Sequence, residues 1–252
     1  DMVHLHVHSQ YSMQDGLCSL DDLIKQAAKF KMKAVALTDH DGLYGAIQFY
    51  KKAKSAGIKP IVGCEIRIKD NQKSNQAYHF ILLVKDKEGY SHLCQIITKA
   101  HLSNPGSIPA VEKNILAKYS KGIIGLSGCH KGEIPSLFSQ KKTKQAEETA
   151  CWYQQIFGKE NFYLELSFHG LSKEKEINSQ LIEMGRKLKI HVVATNNVHY
   201  LKKKQASSQG LLNKIANLGT KKRFYHQKLE TDEYYFKSPS EMEKIFFQVP
   251  QA

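Results

Sequence analysis

Apolar and polar positions alternate along His4-Leu5-His6-Val7-His8, so an extended strand there would set three imidazoles on one face and Leu5 and Val7 on the other. Downstream the pattern changes to short apolar runs without alternation: Ala34–Thr38, Pro60–Ile66, Tyr78–Val84, Gly122–Ser127, Phe162–Leu166 and His191–Thr195. Such runs are expected of strands buried on both faces. Between them, apolar residues recur at helical spacing. Ser19 can cap a helix with Asp21 and Asp22 in its first turn and Leu23, Ile24, Ala27 and Phe30 on its inner face. A second helix from about Leu43 carries Ile47, Phe49 and Tyr50 and stops at Gly57. Further helices are predicted through Leu93, Ile96 and Ile97, near Ile115 and Leu116, over about Thr143–Phe157, and through Ile177, Leu181, Ile182 and Leu188. Ser238-Pro239-Ser240-Glu241 is a capping box with proline at the first helical position, opening a helix to Phe247. About seven strand and helix units predict a parallel α/β fold, and a TIM-like barrel accounts for them better than an open sheet.

A chain of 252 residues with 41% hydrophobic residues can bury a sizeable core, and one large domain is expected. No apolar run approaches the ~20 residues of a membrane span, and the first residues resemble no secretion signal, so a soluble, cytoplasmic protein is expected. The five cysteines are odd in number, widely spaced and without C-x-x-C, which fits reduced thiols. The net charge of +13 is uneven: no acidic residue lies between Glu183 and Glu230, where Lys202, Lys203, Lys204, Lys221, Lys222 and Arg223 cluster. A solvated face is the plain reading of such a block. Its commonest functional meaning is binding to polyphosphate, which makes DNA the expected partner and these six residues the expected contacts.

His8, Asp39-His40, Glu65, Cys129-His130, His169 and Asn197-His199 each fall at the C-terminal end of an expected strand. In a barrel those ends share one rim, where catalytic residues collect. His79 instead begins its strand; either that strand runs the other way or the side chain reaches in. A set rich in imidazole, with some carboxylate and one thiol, suits Zn²⁺, Mn²⁺ or Fe²⁺ rather than Ca²⁺. More ligands than one tetrahedral ion can use imply two or three ions, and phosphoester hydrolysis is the chemistry such a cluster performs.

These residues carry a resemblance. His6-Val7-His8, Asp15-Gly16, Thr38-Asp39-His40, Gly63-Cys64-Glu65 and Val198-His199 resemble the polymerase and histidinol phosphatase (PHP) domain family. His4–Ser9 with Tyr11-Ser12-Met13, Gly57–Gly63, Gly132–Pro135 and Thr231–Lys237 are similar to the branch at the N-terminus of bacterial replicative DNA polymerases, over essentially the whole chain. The resemblance implies a distorted seven-stranded (βα)7 barrel over residues 1–237, with 238–252 leading toward a polymerase core. It implies metal ligands at His6, His8, Asp15, His40, Glu65, His79, Cys129, Asn197 and His199, and a catalytic role for His6, His8, Asp15, His40, Glu65 and His199. Two to three divalent ions are expected, Zn, Mn or Fe, with Mg an alternative. Asn197 departs from the aspartate usual at that position, and a neutral amide is a weaker ligand. Members with the full set resemble metal-dependent 3′–5′ exonucleases, while degenerate members resemble structural modules that support the polymerase and its proofreading exonuclease. A third activity of the family, histidinol phosphate hydrolysis, is disfavoured by the polymerase-type motifs in the last quarter of the chain.

Overall fold

In the computed structural model all six uninterrupted apolar runs are strands: β1 (Ala34–Leu37), β2 (Lys59–Lys69), β3 (Tyr78–Val84), β5 (Ile123–Leu126), β6 (Phe162–Ser167) and β7 (His191–Thr195). A two-residue strand, β4 (Val111–Glu112), joins them, so the described residues form a seven-stranded α/β fold, as expected. The residues described are 2–13, 15–69, 76–103, 108–216, 230–249 and 252. The chain packs as two units. The first comprises Asp1–Val62, Phe168–Leu171 and Asn196–Pro250; the second comprises Gly63–Ser167, Ser172–Thr195 and Gln251–Ala252.

In the first unit β1 pairs in parallel with Lys59–Val62 of β2. Helix α1 (Leu20–Lys29) starts where Ser19 accepts the Asp22 amide at 3.1 Å, as the sequence predicts. Helix α2 (Ala46–Ser55) ends before Gly57, which adopts φ +72, the left-handed conformation that favours glycine. Val7, Leu23, Ala27, Val35, Phe49 and Val198 are fully buried in its core. Helix α9 (Pro239–Ile245) opens on the predicted capping box, with Ser238 N–H donating to Glu241 at 2.7 Å. Helix α8 (Ala206–Ala216) lies in the basic window and has no counterpart in the apolar pattern.

His4–Ser9 is a correction. The segment is extended but forms only isolated bridges, Val7 to Val198 and Ser9 to Cys18. Two of its amides are taken by side chains: Val7 N–H donates to Thr38 Oγ1 and Ser9 N–H to Asp39 Oδ1. A continuous ladder needs those donors paired with backbone carbonyls, so none forms.

In the second unit β2 (from Gly63), β3, β5, β6 and β7 are neighbours in that order. β5–β6 and β6–β7 are parallel, but β3 is antiparallel to both β2 and β5. The strand of His79 therefore runs the other way, and its first residues lie at the end where its neighbours finish. Helices α3 (Lys87–Leu102), α4 (Lys113–Lys118), α5 (Glu133–Ser139), α6 (Thr143–Phe157) and α7 (Glu174–Leu188) belong to this unit. Phe80 packs on Tyr153, Phe157 and Phe162 with ring centroids 4.7, 5.7 and 6.3 Å apart. Against this aromatic stack sits an ion pair whose carboxylate is buried and whose ammonium is half-buried. Glu133 accepts Lys113 Nζ at 2.6 Å on one carboxylate oxygen and the Tyr153 hydroxyl at 2.7 Å on the other.

Candidate metal centre

Within the first unit, His8, His40 and His199 each turn a ring nitrogen toward the others, with all three ligand atoms within 4.8 Å of one another. The rings of His8 and His40 stack at 4.1 Å, and those of His8 and His199 lie 4.5 Å apart. The Asp15 carboxylate completes the group, with Oδ2 3.0 Å from His40 Nε2 and 3.6 Å from His199 Nε2. Three imidazoles this close repel one another if all are protonated, and the Asp15 carboxylate sits among them. His6 joins from one side, with its Nε2 3.1 Å from His8 Nε2.

Local backbone holds this group in place. Gly16 approaches Ser9 so closely that a Cβ would overlap the Ser9 carbonyl, which brings Asp15 back over the His6–Ser9 segment. His8 N–H donates to the Val198 carbonyl at 2.8 Å, and Val198 N–H to the His6 carbonyl at 3.0 Å. The two histidine segments thereby lie side by side. His199 Nδ1 donates to the Asn197 carbonyl at 2.8 Å, which leaves its lone pair on Nε2. Asn197 adopts φ +44, a left-handed conformation that asparagine and aspartate tolerate better than most residues. Its side-chain Oδ1 is buried and accepts no hydrogen bond. It is an oxygen donor of the type a cation takes, though uncharged.

His4 leaves the group. Its Nε2 donates to the Lys237 carbonyl at 2.8 Å, and its ring packs 4.3 Å from Phe236. Burial pulls its pKa down to about 4, opposed by that hydrogen bond, so the ring is neutral. His169 likewise serves packing, bonding the Asn196 carbonyl at 2.8 Å and stacking on Tyr234 at 4.0 Å.

The second unit assembles Glu65, His79 and Cys129. β2 and β3 pair Glu65 with Ile81 and Arg67 with His79, so Glu65 and His79 are diagonal neighbours, and His79 Nδ1 contacts a Glu65 carboxylate oxygen. Burial holds His79 below its usual range, while Glu65 pulls the other way. Gly128, at φ +81, sits against the His79 carbonyl where a Cβ would collide, and this brings the adjoining Cys129 to the start of β3. Burial, then Glu65 and Glu165, push the Cys129 thiol up. A divalent ion reverses that preference by favouring the thiolate. All five cysteines are free thiols, as expected.

Three serine and carboxylate positions escaped the ligand reading. Asp39 accepts the Ser9 amide at 2.7 Å, the Ser9 hydroxyl at 2.8 Å and the Ser12 hydroxyl at 2.7 Å. The signal was present in the Ser9, Tyr11-Ser12-Met13 and Asp39 motif residues. Of the basic residues, Lys202, Lys203 and Lys204 are exposed, and Lys203 is also paired with Glu233 and with Asp232, the latter at 3.4 Å. Lys221, Lys222 and Arg223 lie outside the described residues.

The chain belongs to the PHP domain family, whose model matches residues 4–169. It is 38% identical to the DNA polymerase III subunit alpha of Borreliella burgdorferi and 36% identical to that of Treponema pallidum, each over 99% of this chain. It spans 22% of the length of these relatives. Among solved structures, a protein from Bifidobacterium adolescentis described as a candidate metal-dependent phosphoesterase shares the fold. Its TM-score is 0.55 at 14% identity, covering 78% of this chain and 87% of that one. No helix among the described residues is long and apolar enough to cross a membrane.

Proposed function

We propose that this chain is the PHP domain of a bacterial DNA polymerase III alpha subunit and acts as a metal-dependent phosphoesterase on DNA ends, in the manner of a weak 3′–5′ exonuclease. The observation that carries the reading is the convergence of His8, His40 and His199 around Asp15. His6, His8, Asp15, His40, Asn197 and His199 are the ligands from the first unit; Glu65, His79 and Cys129 are those from the second. Two to three divalent ions of Zn, Mn or Fe type suit the donors, with Mg the less nitrogen-loving alternative. When bound, such ions supply Lewis acidity toward phosphoryl oxygens and lower the pKa of water. The chain's own groups do the rest. Asp15 Oδ2 and His40 Nε2, at hydrogen-bond distance, can exchange a proton, and Lys202 and Lys204 present exposed cations to the DNA backbone.

The test is release of nucleotides from a 3′-labelled single-stranded primer with Mn²⁺, by the parent chain and by His8→Ala. Activity in the parent that His8→Ala abolishes supports the reading. One observation favours a second reading, a structural module that stabilises the polymerase and docks its proofreading exonuclease: Asn197 offers an uncharged oxygen at a position suited to a carboxylate. Full metal occupancy with an intact primer decides for that alternative. Within the larger polymerase the rest of the alpha subunit, the proofreading exonuclease and DNA are the partners this reading implies.

A further inference from the structure

We infer that Ser12 and Asp39 form a relay that fixes the tautomer of His8 so that its Nε2 carries the lone pair; the inference rests on the reading of His8 as a metal ligand. Ser12 Oγ lies 3.0 Å from His8 Nδ1, 3.1 Å from the His40 amide and 2.7 Å from Asp39 Oδ1. A serine hydroxyl has one hydrogen and two lone pairs. The His40 amide can only donate, and the Asp39 carboxylate is held as an acceptor by the Ser9 amide and Ser9 hydroxyl as well. Ser12 therefore gives its hydrogen to Asp39 and receives one from the His40 amide. Its remaining lone pair faces His8 Nδ1, which must be the protonated nitrogen. In a neutral ring this leaves Nε2 as the acceptor, and Nε2 is the atom that faces His6 Nε2 at 3.1 Å.

The same hydroxyl thus does two things at once. It orients the His8 ring by a chain ending on a carboxylate, which also raises the basicity of Nε2. It also pins the backbone at His40, so two ligands of the group share one anchor. Ser12 and Asp39 are both almost wholly buried, so water does not compete for these bonds. They are positioning residues, acting through His8 and His40.

The experiment uses the 252-residue chain with ¹⁵N-labelled histidine. Long-range ¹H–¹⁵N spectra of the metal-free protein, with His8 assigned by difference from His8→Gln, should show Nδ1 protonated and Nε2 unprotonated. Ser12→Ala should mix the two tautomers and weaken Mn²⁺ or Zn²⁺ binding by roughly 10- to 100-fold, measured by chelator competition, with Ser12→Thr restoring both. If Ser12→Ala does not fold, Ser12→Thr against Ser12→Cys makes the same comparison, hydroxyl against thiol. A parent spectrum with His8 protonated on Nε2, or unchanged tautomer and affinity on loss of the hydroxyl, overturns the relay. A parent chain that shows the Nε2 lone pair yet binds neither ion overturns the metal reading instead and leaves the relay standing.

Discussion

Two buried polar groups in this molecule are built on opposite principles. In the second unit, Glu133 meets a cation on one oxygen and a hydroxyl on the other, against an aromatic stack; every charge has its complement from within the chain. In the first unit, His8, His40 and His199 crowd ring against ring with one carboxylate among them. On the proposed reading, the first group holds the fold together and the second is built to take a cation. Burial alone does not distinguish the two; the kinds of side chain brought together do.

Four measurements test the contrast, beginning with the largest effect. Glu133→Ala should cost about 3 kcal/mol in urea unfolding, because it removes the buried acceptor of the Lys113 ammonium and the Tyr153 hydroxyl, yet leave metal affinity unchanged. Loss of metal binding in a folded Glu133→Ala chain would show that the two groups are not independent. Next, Mn²⁺ or Zn²⁺ at about 100 times its dissociation constant should stabilise the parent by about 2.7 kcal/mol, or ~5–10 °C in thermal unfolding. Chelator should remove the gain, and His8→Ala and His199→Ala should never show it. Asn197→Asp should tighten metal binding by roughly tenfold or more, read by chelator competition, and raise any nuclease activity with it. Its backbone conformation suits either residue, so unchanged affinity would mean that this side chain is not a ligand.

The smallest effect concerns acid. Burial works against ionised Glu233, but Lys203 and Lys237 outweigh it and hold the carboxyl below its ordinary value of 4.5. A depressed carboxylate contributes stability that is present above about 4.5 and lost as pH falls through the lower folded value. The denaturant midpoints of the parent and Glu233→Gln should therefore differ at neutral pH and converge in acid. Midpoints that stay equally far apart at all pH values would remove the charge from the account.

Much of this was legible in the sequence, for identifiable reasons. Tyr78–Val84, His191–Thr195 and Thr143–Phe157 have the bounds the apolar pattern predicts, and in Tyr78–Val84 the buried run from Phe80 to Leu83 leaves no polar interruption to blur them. Helix α8 was not legible, because it is turned inside out. Gln209 and Asn213, one turn apart, are buried, while Leu211 and Ile215 are 60% and 55% exposed. A reading that seeks apolar residues on the inner face finds nothing there. Residue type and strand-end position pointed to part of the candidate ligand set and the family resemblance implied the rest, but neither pointed to the residues that support His8. Ser12 and Asp39 matter through where their single hydrogen and lone pairs point, and that depends on three segments distant in sequence. Alternation places His4 on the same face as His6 and His8, but the Lys237 carbonyl, far along the chain, takes its ring.

The reversal of β3 bears on how the second unit reaches its native state. Antiparallel strands joined by the short stretch between Lys69 and Tyr78 can zip up locally, whereas β5, β6 and β7 become neighbours only after whole helices have been threaded between them. Closing a short loop takes little time and costs less entropy, so the β2–β3 ladder is expected to acquire protection before the parallel pairs in pulsed hydrogen exchange during refolding. Glu65 and His79 would then meet early, as a consequence of register, and the glycine bend that delivers Cys129 would close onto a surface already made.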